Sequence, residues 1–186
     1  MSAVDLILLG LVYEQPQSAY DMQKQVEYRN LSRWVKISSP SIYKNVVKLE
    51  EKGYLTSISV REGRMPEKSV YSITPSGRAY FLKLMREKAN AAVNVLFDFN
   101  AVIANLNKLE TGQAMELANN IRAGMETGRA YIANMQPQRQ HVPFVGRSIM
   151  EQQVGVYDAL LNWMDSFLEG LAACSPSNSE RAGEKE

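Results

Sequence analysis

Hydroxyl groups, a phenol and two ammonium groups lie close together within residues 38–48. These side chains belong to Ser39, Ser41, Tyr43, Lys44 and Lys48. Ammonium groups suit DNA phosphates, and hydroxyl groups suit phosphates or the edges of bases. The set is typical of a helix that lies in the major groove of DNA. The alternative interpretation is that the lysines are only solvated on the outer face of a short helix.

The apolar residues of the same stretch predict the helix that would present these groups. Ile42, Val46 and Leu49 recur at positions i, i+4 and i+7, which places them on one face. We expect Ser39 to cap the helix and Gly53 to end it in the left-handed conformation. The polar groups then project away from the buried face.

Two short β-rich segments follow, at residues 54–60 and 69–73. The loop between them is charged and contains Gly63, so the pattern predicts a β-hairpin. Arg64 and Lys68 would allow this hairpin to contact the DNA backbone or the minor groove. A helix followed directly by such a hairpin is the winged helix-turn-helix arrangement.

Several motifs in this region resemble those of the PadR family of bacterial winged-helix transcriptional regulators. They are Ser38-Ser-Pro-Ser-Ile-Tyr43, Lys48-Leu-Glu-Glu-Lys-Gly-Tyr-Leu55 and Tyr71-Ser-Ile-Thr-Pro-Ser-Gly-Arg78. The resemblance covers about residues 3–88 and implies a repressor that binds double-stranded DNA. The segment Gly63-Arg-Met-Pro-Glu-Lys68 departs from the denser Gly-Arg-Pro-Arg-Lys run that is common in the family.

The second half of the chain predicts amphipathic helices. One would run from residue 75 towards 109 with a break near 98–100, one from about 112 to 135, and one from Ser148 to about 173. The predicted fold class is therefore mainly α with a small β-hairpin wing. We predict a winged helix-turn-helix DNA-binding domain at 1–88, a helical dimerisation domain at 89–173 and a disordered tail at 174–186.

The last helix carries the residues that we expect at a two-fold interface. They are Leu160, Leu161, Met164, Phe167 and Leu168. Helices with apolar faces of this width bury more surface together with a partner than alone. The longer PadR proteins, which this chain resembles, dimerise through C-terminal helices. A homodimer would hold two winged helices one DNA turn apart, as a palindromic operator requires.

The resemblance also implies a small aromatic or hydrophobic effector at the dimer interface. Methionine adapts its shape and suits a permissive ligand pocket. The second half contains Met115, Met125, Met135, Met150 and Met164. Ordinary helix packing is the alternative explanation for these residues.

The charge distribution differs between the two halves. Residues 1–88 contain 14 Lys and Arg and 9 Asp and Glu, a net charge of +5, whereas residues 89–186 contain 7 and 11, a net charge of −4. A basic first half suits a nucleic-acid-binding module that is joined to another kind of domain. Small domains also acquire a few net charges by chance.

The remaining residue types argue against catalysis and metal binding. One cysteine, Cys174, and one histidine, His141, are too few for a structural zinc site, and the single cysteine suits a reducing compartment. We find no glycine-rich phosphate loop and no nucleophile with a partner, so we expect neither an enzyme nor a cofactor. No apolar run approaches the ~20 residues of a membrane span. With no basic region before the first apolar stretch, we expect a cytoplasmic protein without a membrane partner.

Two classes of function follow from these patterns. The first is a dimeric transcriptional repressor that binds duplex DNA. The second is a winged-helix adaptor whose helix and wing bind another protein, and which lacks salt-sensitive affinity for DNA.

Overall fold

The computed structural model describes residues 3–61, 67–139 and 141–173, and the chain divides into two compact units, Met1–Asn94 and Val95–Glu186. The predicted class, mainly α with a small β-sheet wing, is confirmed. Among the described residues, no helix is both long enough and apolar enough to cross a membrane.

The first unit is built around its N-terminal helix. Its helices are α1 (Ala3–Glu14), α2 (Ala19–Tyr28), α3 (Ser39–Glu51) and α4 (Pro75–Ala89), with a single 3₁₀ turn at Leu31–Arg33. Helix α1 is apolar almost throughout, so it can be covered on several sides at once. It packs against α3 and α4, and its Leu8 and Leu9 are fully buried.

A three-stranded antiparallel sheet completes this unit. Its strands are β1 (Gln17–Ser18), β2 (Leu55–Val60) and β3 (Lys68–Ile73), in the order β1-β3-β2. The hairpin of β2 and β3 pairs Leu55 with Ile73 and Val60 with Lys68. Strand β1 was not predicted, because a two-residue strand has no periodicity and is defined only by its pairing with β3.

Polar contacts connect the end of α3 with the start of α4. Gly53 follows α3 with a φ of 71°, the left-handed conformation expected of a glycine stop. The Thr74 hydroxyl donates to the Gly53 carbonyl at 2.7 Å and accepts the Gly77 N–H at 3.0 Å. Thr74 therefore caps α4 and holds it against the turn that leads into the hairpin.

The predicted long helix towards residue 109 is wrong. Helix α4 ends at Ala89, and only the short α5 (Asn100–Ile103) and a 3₁₀ turn at Leu106–Lys108 precede the next long helix. Residues 90–100 contain three asparagines, one aspartate and two valines. These types are weak helix formers, so the apolar periodicity across this segment did not produce a continuous helix.

The second unit is mainly a pair of long helices, α6 (Thr111–Met135) and α7 (Phe144–Ala173). Arg122 forms a salt bridge with Asp165, and Arg129 forms one with Asp158. Since the residue numbers rise along α6 as they fall along α7, the two helices are antiparallel.

Helix α7 begins earlier than the sequence pattern predicted. The helix begins at Phe144, not at Ser148. The carbonyl of Pro143 accepts the N–H groups of Gly146 and Arg147 at 3.0 and 3.2 Å. Proline is favoured at the start of a helix, because the N–H group that it lacks would have no partner within the helix. The predicted tail at 174–186 lies outside the described residues.

Candidate nucleic-acid interface and dimerisation surface

The N-terminus of α3 is capped by a pair of serines. Ser38 has an extended backbone and precedes the helix, so the cap is Ser38 and the predicted cap, Ser39, is the first helical residue. The Ser41 hydroxyl accepts the Ser38 N–H at 2.9 Å and donates to the Ser38 carbonyl at 2.6 Å. Because Ser38 and Ser39 are adjacent, the sequence did not distinguish which serine adopts the extended conformation.

This cap occupies most of the hydrogen-bonding capacity of Ser41. A serine hydroxyl has one donor and two acceptor sites. Its donor and one acceptor site serve the Ser38 backbone, which leaves one lone pair for a DNA group. Ser39 and Ser41 are both half-buried at this end of the helix.

Helix α3 has one buried face and one outward face, as its periodicity predicted. Ile42, Val46 and Leu49 are buried in the core of the first unit. Tyr43 is 43% exposed, and Lys44 and Lys48 are also exposed. These three predicted contact residues therefore occupy a surface that an external partner can reach.

Lys44 and Lys48 differ from other exposed lysines of this unit in their ion pairing among the described residues. Lys24 and Lys83 form salt bridges with Glu27 and Glu87, whereas no salt bridge to Lys44 or Lys48 occurs within residues 3–61, 67–139 and 141–173. Exposed, unpaired ammonium groups on one helix face are suited to neutralising phosphates.

One carboxylate of the core helix lies within electrostatic reach of this face. Burial raises the pKa of Asp5 in α1, and the ammonium groups of Lys52 and Lys48 oppose that shift. Asp5 therefore lies close to the C-terminal half of α3, without a salt bridge to Lys48. Of the two predicted phosphate contacts, only Lys48 has this compensating charge nearby.

The described part of the wing contains one of its two predicted contact residues. Lys68 is half-buried at the start of β3, opposite Val60. The hydrogen bond from the Ser18 hydroxyl is the main cause of the lowered pKa of Asp21, and Lys68 lowers it further. Lys68 therefore lies near the N-terminus of α2. Arg64 lies outside the described residues.

Sequence reasoning missed one exposed residue on the outward face of α3. Val47 is 46% exposed and follows Tyr43 by four positions and Lys44 by three. Residues at these spacings are neighbours on a helix surface. This spacing could have identified Val47 as an outward residue. The apolar pattern alone did not separate it from the buried Val46 beside it.

The residues predicted for dimerisation lie on two adjoining stripes of α7. The inner stripe comprises Tyr157, Leu161, Met164, Leu168 and Leu171 at helical spacing. Met164 is completely buried, and the ring of Tyr157 lies against Gly128 of α6. The inner stripe therefore covers α6 within the same chain.

The outer stripe comprises Val156, Leu160, Trp163 and Phe167. Val156 is 41% exposed and Trp163 is 40% exposed. The Trp163 ring lies 5.6 Å from the Phe167 ring and 6.0 Å from the Phe99 ring, between centroids. Of the predicted residues, Leu160 and Phe167 belong to this stripe, where they are half-buried and also pack against the core of the unit. The other three belong to the inner stripe.

The geometry of the first unit agrees with a sequence comparison. Residues 8–83 match the transcriptional regulator PadR-like family. This part of the chain is a PadR-like domain. It includes the second half of α1, all of α2 and α3, the hairpin and most of α4, so it contains the whole outward face of α3. Regulators of this family act in transcription and not in catalysis. No curated protein matches the chain in sequence.

Solved structures share the fold beyond the PadR-like domain. Bacillus subtilis PadR in complex with operator DNA is 17% identical with a TM-score of 0.80, and the match covers 92% of this chain and 98% of that one. Bacillus subtilis PadR in complex with p-coumaric acid is 16% identical, with a TM-score of 0.78 and coverage of 91% and 98%. The Vibrio cholerae virulence activator AphA is 19% identical, with a TM-score of 0.73 and coverage of 93% and 100%. These similarities establish the fold.

Proposed function

We propose that this transcriptional regulator binds a specific sequence of double-stranded DNA as a homodimer and represses transcription. The observation that carries the proposal is the outward face of α3. Tyr43, Lys44 and Lys48 are exposed there, while Ile42 and Val46 fix the opposite face in the core. A short helix held in this way presents its polar side chains to the major groove.

The known structures support the DNA-binding part of the proposal. The Bacillus subtilis PadR structure with a TM-score of 0.80 contains operator DNA. The similarity covers 92% of this chain, so the fold of that DNA-bound protein is present here almost completely. The net charge of +5 in residues 1–88 would favour association with a polyanion.

The outer stripe of α7 supports the homodimer. Its exposed members, Val156 and Trp163, continue an apolar row with the half-buried Leu160 and Phe167. The described residues of this unit contain two long helices, and these leave Val156 and Trp163 partly exposed. Apolar surfaces that extend over several residues mark interfaces more often than isolated exposed residues do. A two-fold dimer through this stripe would give the protein two α3 helices for the two halves of a palindrome.

We further propose that a small aromatic or hydrophobic effector controls DNA binding. The p-coumaric acid complex of Bacillus subtilis PadR supports this, since that ligand is a small aromatic acid. Met125 and Met164 are buried in the second unit and serve packing. Met115, Met135 and Met150 are half-buried and stay candidates for effector contact.

Titration of full-length protein against duplex DNA tests the proposal. The probe is the region upstream of the coding sequence, with a shuffled duplex of equal length as the control. We expect tighter binding to the upstream duplex and an affinity that falls steeply with salt. An adaptor protein would show neither. Addition of p-coumaric acid to the complex then tests for an effector, with release of DNA as the expected result.

Replacement of Lys44 or Lys48 with alanine should weaken DNA binding. Each lost phosphate contact should lower the slope of log affinity against log salt by ~1. Fluorescence anisotropy at several salt concentrations measures both quantities. Lys83→Ala is the matched control, because Lys83 is an exposed lysine on α4 that is paired with Glu87. Unchanged affinity and slope in both folded variants would contradict the assignment of these lysines.

Replacement of Arg64 and Lys68 together should weaken specific and shuffled DNA by similar factors. The wing would contact the backbone or the minor groove, where sequence discrimination is weak. Parallel titrations with the two duplexes measure the ratio of their affinities, which should stay constant. A selective loss for the upstream duplex would show that the wing reads bases, in which case this role is wrong.

A further inference from the structure

The outward face of α3 contains an aliphatic side chain among its polar groups. Val47 is 46% exposed, and Tyr43, one turn earlier, is 43% exposed. Valine is a weaker helix former than alanine or leucine, so position 47 gains no local stability from this residue. Unlike Val46, Val47 also contributes nothing to the buried core. Its isopropyl group is therefore available to an external partner.

Two other polar side chains of α3 form hydrogen bonds within the helix itself. The Ser41 hydroxyl forms hydrogen bonds with the backbone of the N-cap residue, Ser38. The Asn45 side-chain amide donates to the Ser41 carbonyl at 2.7 Å. Two residues that could have read base edges by hydrogen bonding are thus directed towards the backbone. The exposed residues from the second turn of α3 onwards are Tyr43, Lys44, Val47, Lys48 and Glu51, so Val47 is the aliphatic member of this set.

An aliphatic group in the major groove has one complementary partner. Thymine alone among the four bases presents a methyl group there, and apolar side chains contact it. We propose that Val47, with the Tyr43 ring beside it, recognises thymine in each half-site through the 5-methyl group. The proposal rests on the DNA-binding function proposed above. Lys44 and Lys48 flank Val47, so their phosphate contacts would hold α3 at the depth that this contact requires.

The test removes the methyl group from the DNA and the isopropyl group from the protein, separately and together. Full-length protein first selects its preferred duplex from a random library. Each thymine of that duplex is then replaced by uracil, which lacks only the 5-methyl group. We expect one position in each half-site where the change lowers affinity about four-fold, the effect of one methyl group removed from water.

Val47→Ala should weaken binding to the thymine duplex and remove the sensitivity to uracil at that position. Alanine favours the helix, so α3 should stay folded, and circular dichroism checks this. Leu82→Ala is the control, because Leu82 is an exposed apolar residue on α4. It should retain the full response to uracil.

The outcomes separate this inference from the proposed function. If wild-type protein selects no duplex, DNA binding and thymine recognition both fail. If it binds a selected duplex but no uracil substitution matters, DNA binding stands and thymine recognition is overturned. The same holds if Val47→Ala remains as sensitive to uracil as the wild type.

Discussion

Replacing Val156 and Trp163 with glutamate should convert the full-length protein from a dimer to a monomer. Each side chain is about 40% exposed on the outer stripe of α7. Glutamates at a dimer interface would have to lose their hydration without a partner, which opposes association. Loss of the dimer removes the advantage of a second, intramolecular DNA contact. Affinity for a duplex with two half-sites should therefore fall by about 10²–10⁴.

Light scattering measures the change of mass, and anisotropy with one-half-site and two-half-site duplexes measures the change of affinity. Only the two-half-site affinity should fall. Asn162→Glu is the matched control, since Asn162 is an exposed polar residue on the other side of α7. Trp163 also contacts Phe99 and Phe167, so its replacement changes packing inside the second unit. The single Val156→Glu variant leaves these contacts intact and so tests the interface alone. A wild-type monomer that binds a palindrome tightly would contradict the proposal.

The structure excludes Met164 as a position for this test. Met164 is completely buried beneath α6, so Met164→Glu would place a charge in the core of its own chain. Its effect would be unfolding of the second unit, whatever the oligomeric state. Leu161 and Leu168 share this inner stripe and present the same difficulty.

Removal of the second unit provides an independent check of the same proposal. A chain that ends at Asn94 keeps the PadR-like domain and the whole of α4. It retains the buried cluster that contains Leu8, Ile42 and Leu84. We expect this fragment to be a monomer that binds one half-site with the affinity of the glutamate variant. A dimeric fragment would place the interface in the first unit.

Replacing Gly77 with alanine should destabilise the PadR-like domain by about 3 kcal/mol or more. A Cβ atom at this position would lie 2.0 Å from the Tyr54 carbonyl oxygen and 2.9 Å from Cγ1 of Ile73. The nearest obstacle is backbone, which cannot rotate away as a flexible side chain can. Relief would require α4 to move away from the start of the hairpin, and so would break the Thr74 contacts that join them. The expected loss is a large part of the about 5–15 kcal/mol that stabilises a typical domain.

Denaturant unfolding followed by tryptophan fluorescence measures this loss. The two tryptophans lie in different units, Trp34 in the first and Trp163 in the second, so Trp163→Phe leaves a reporter for the PadR-like domain. Gly124→Ala in the second unit, followed through Trp163 in a chain with Trp34→Phe, is the matched control. A Cβ at Gly124 meets nothing within 4 Å, and alanine is the better helix former, so α6 should gain stability. If Gly77→Ala also unfolded at the wild-type denaturant concentration, the close approach to Tyr54 would be wrong.

The sequence by itself determined the features that depend on local periodicity and local capping. The spacing of Ile42, Val46 and Leu49 defined both faces of α3, because residues four and seven apart share a helix face. The glycine stop at Gly53 and the β-hairpin followed in the same way. These features made the winged helix and its resemblance to PadR regulators recognisable. The DNA contacts assigned to Tyr43, Lys44 and Lys48 stay predictions.

Only the tertiary structure decided the features that depend on contacts between distant residues. Strand β1 exists because Gln17 pairs with Tyr71, and Gly77 is required because the Tyr54 carbonyl approaches it from another element. The same holds for α7, where packing on α6 buries Met164 and leaves Trp163, one position away, 40% exposed. A periodic pattern shows that a residue is apolar and on which side of its helix it lies. It does not show whether the surface that covers that side belongs to the same chain or to a partner.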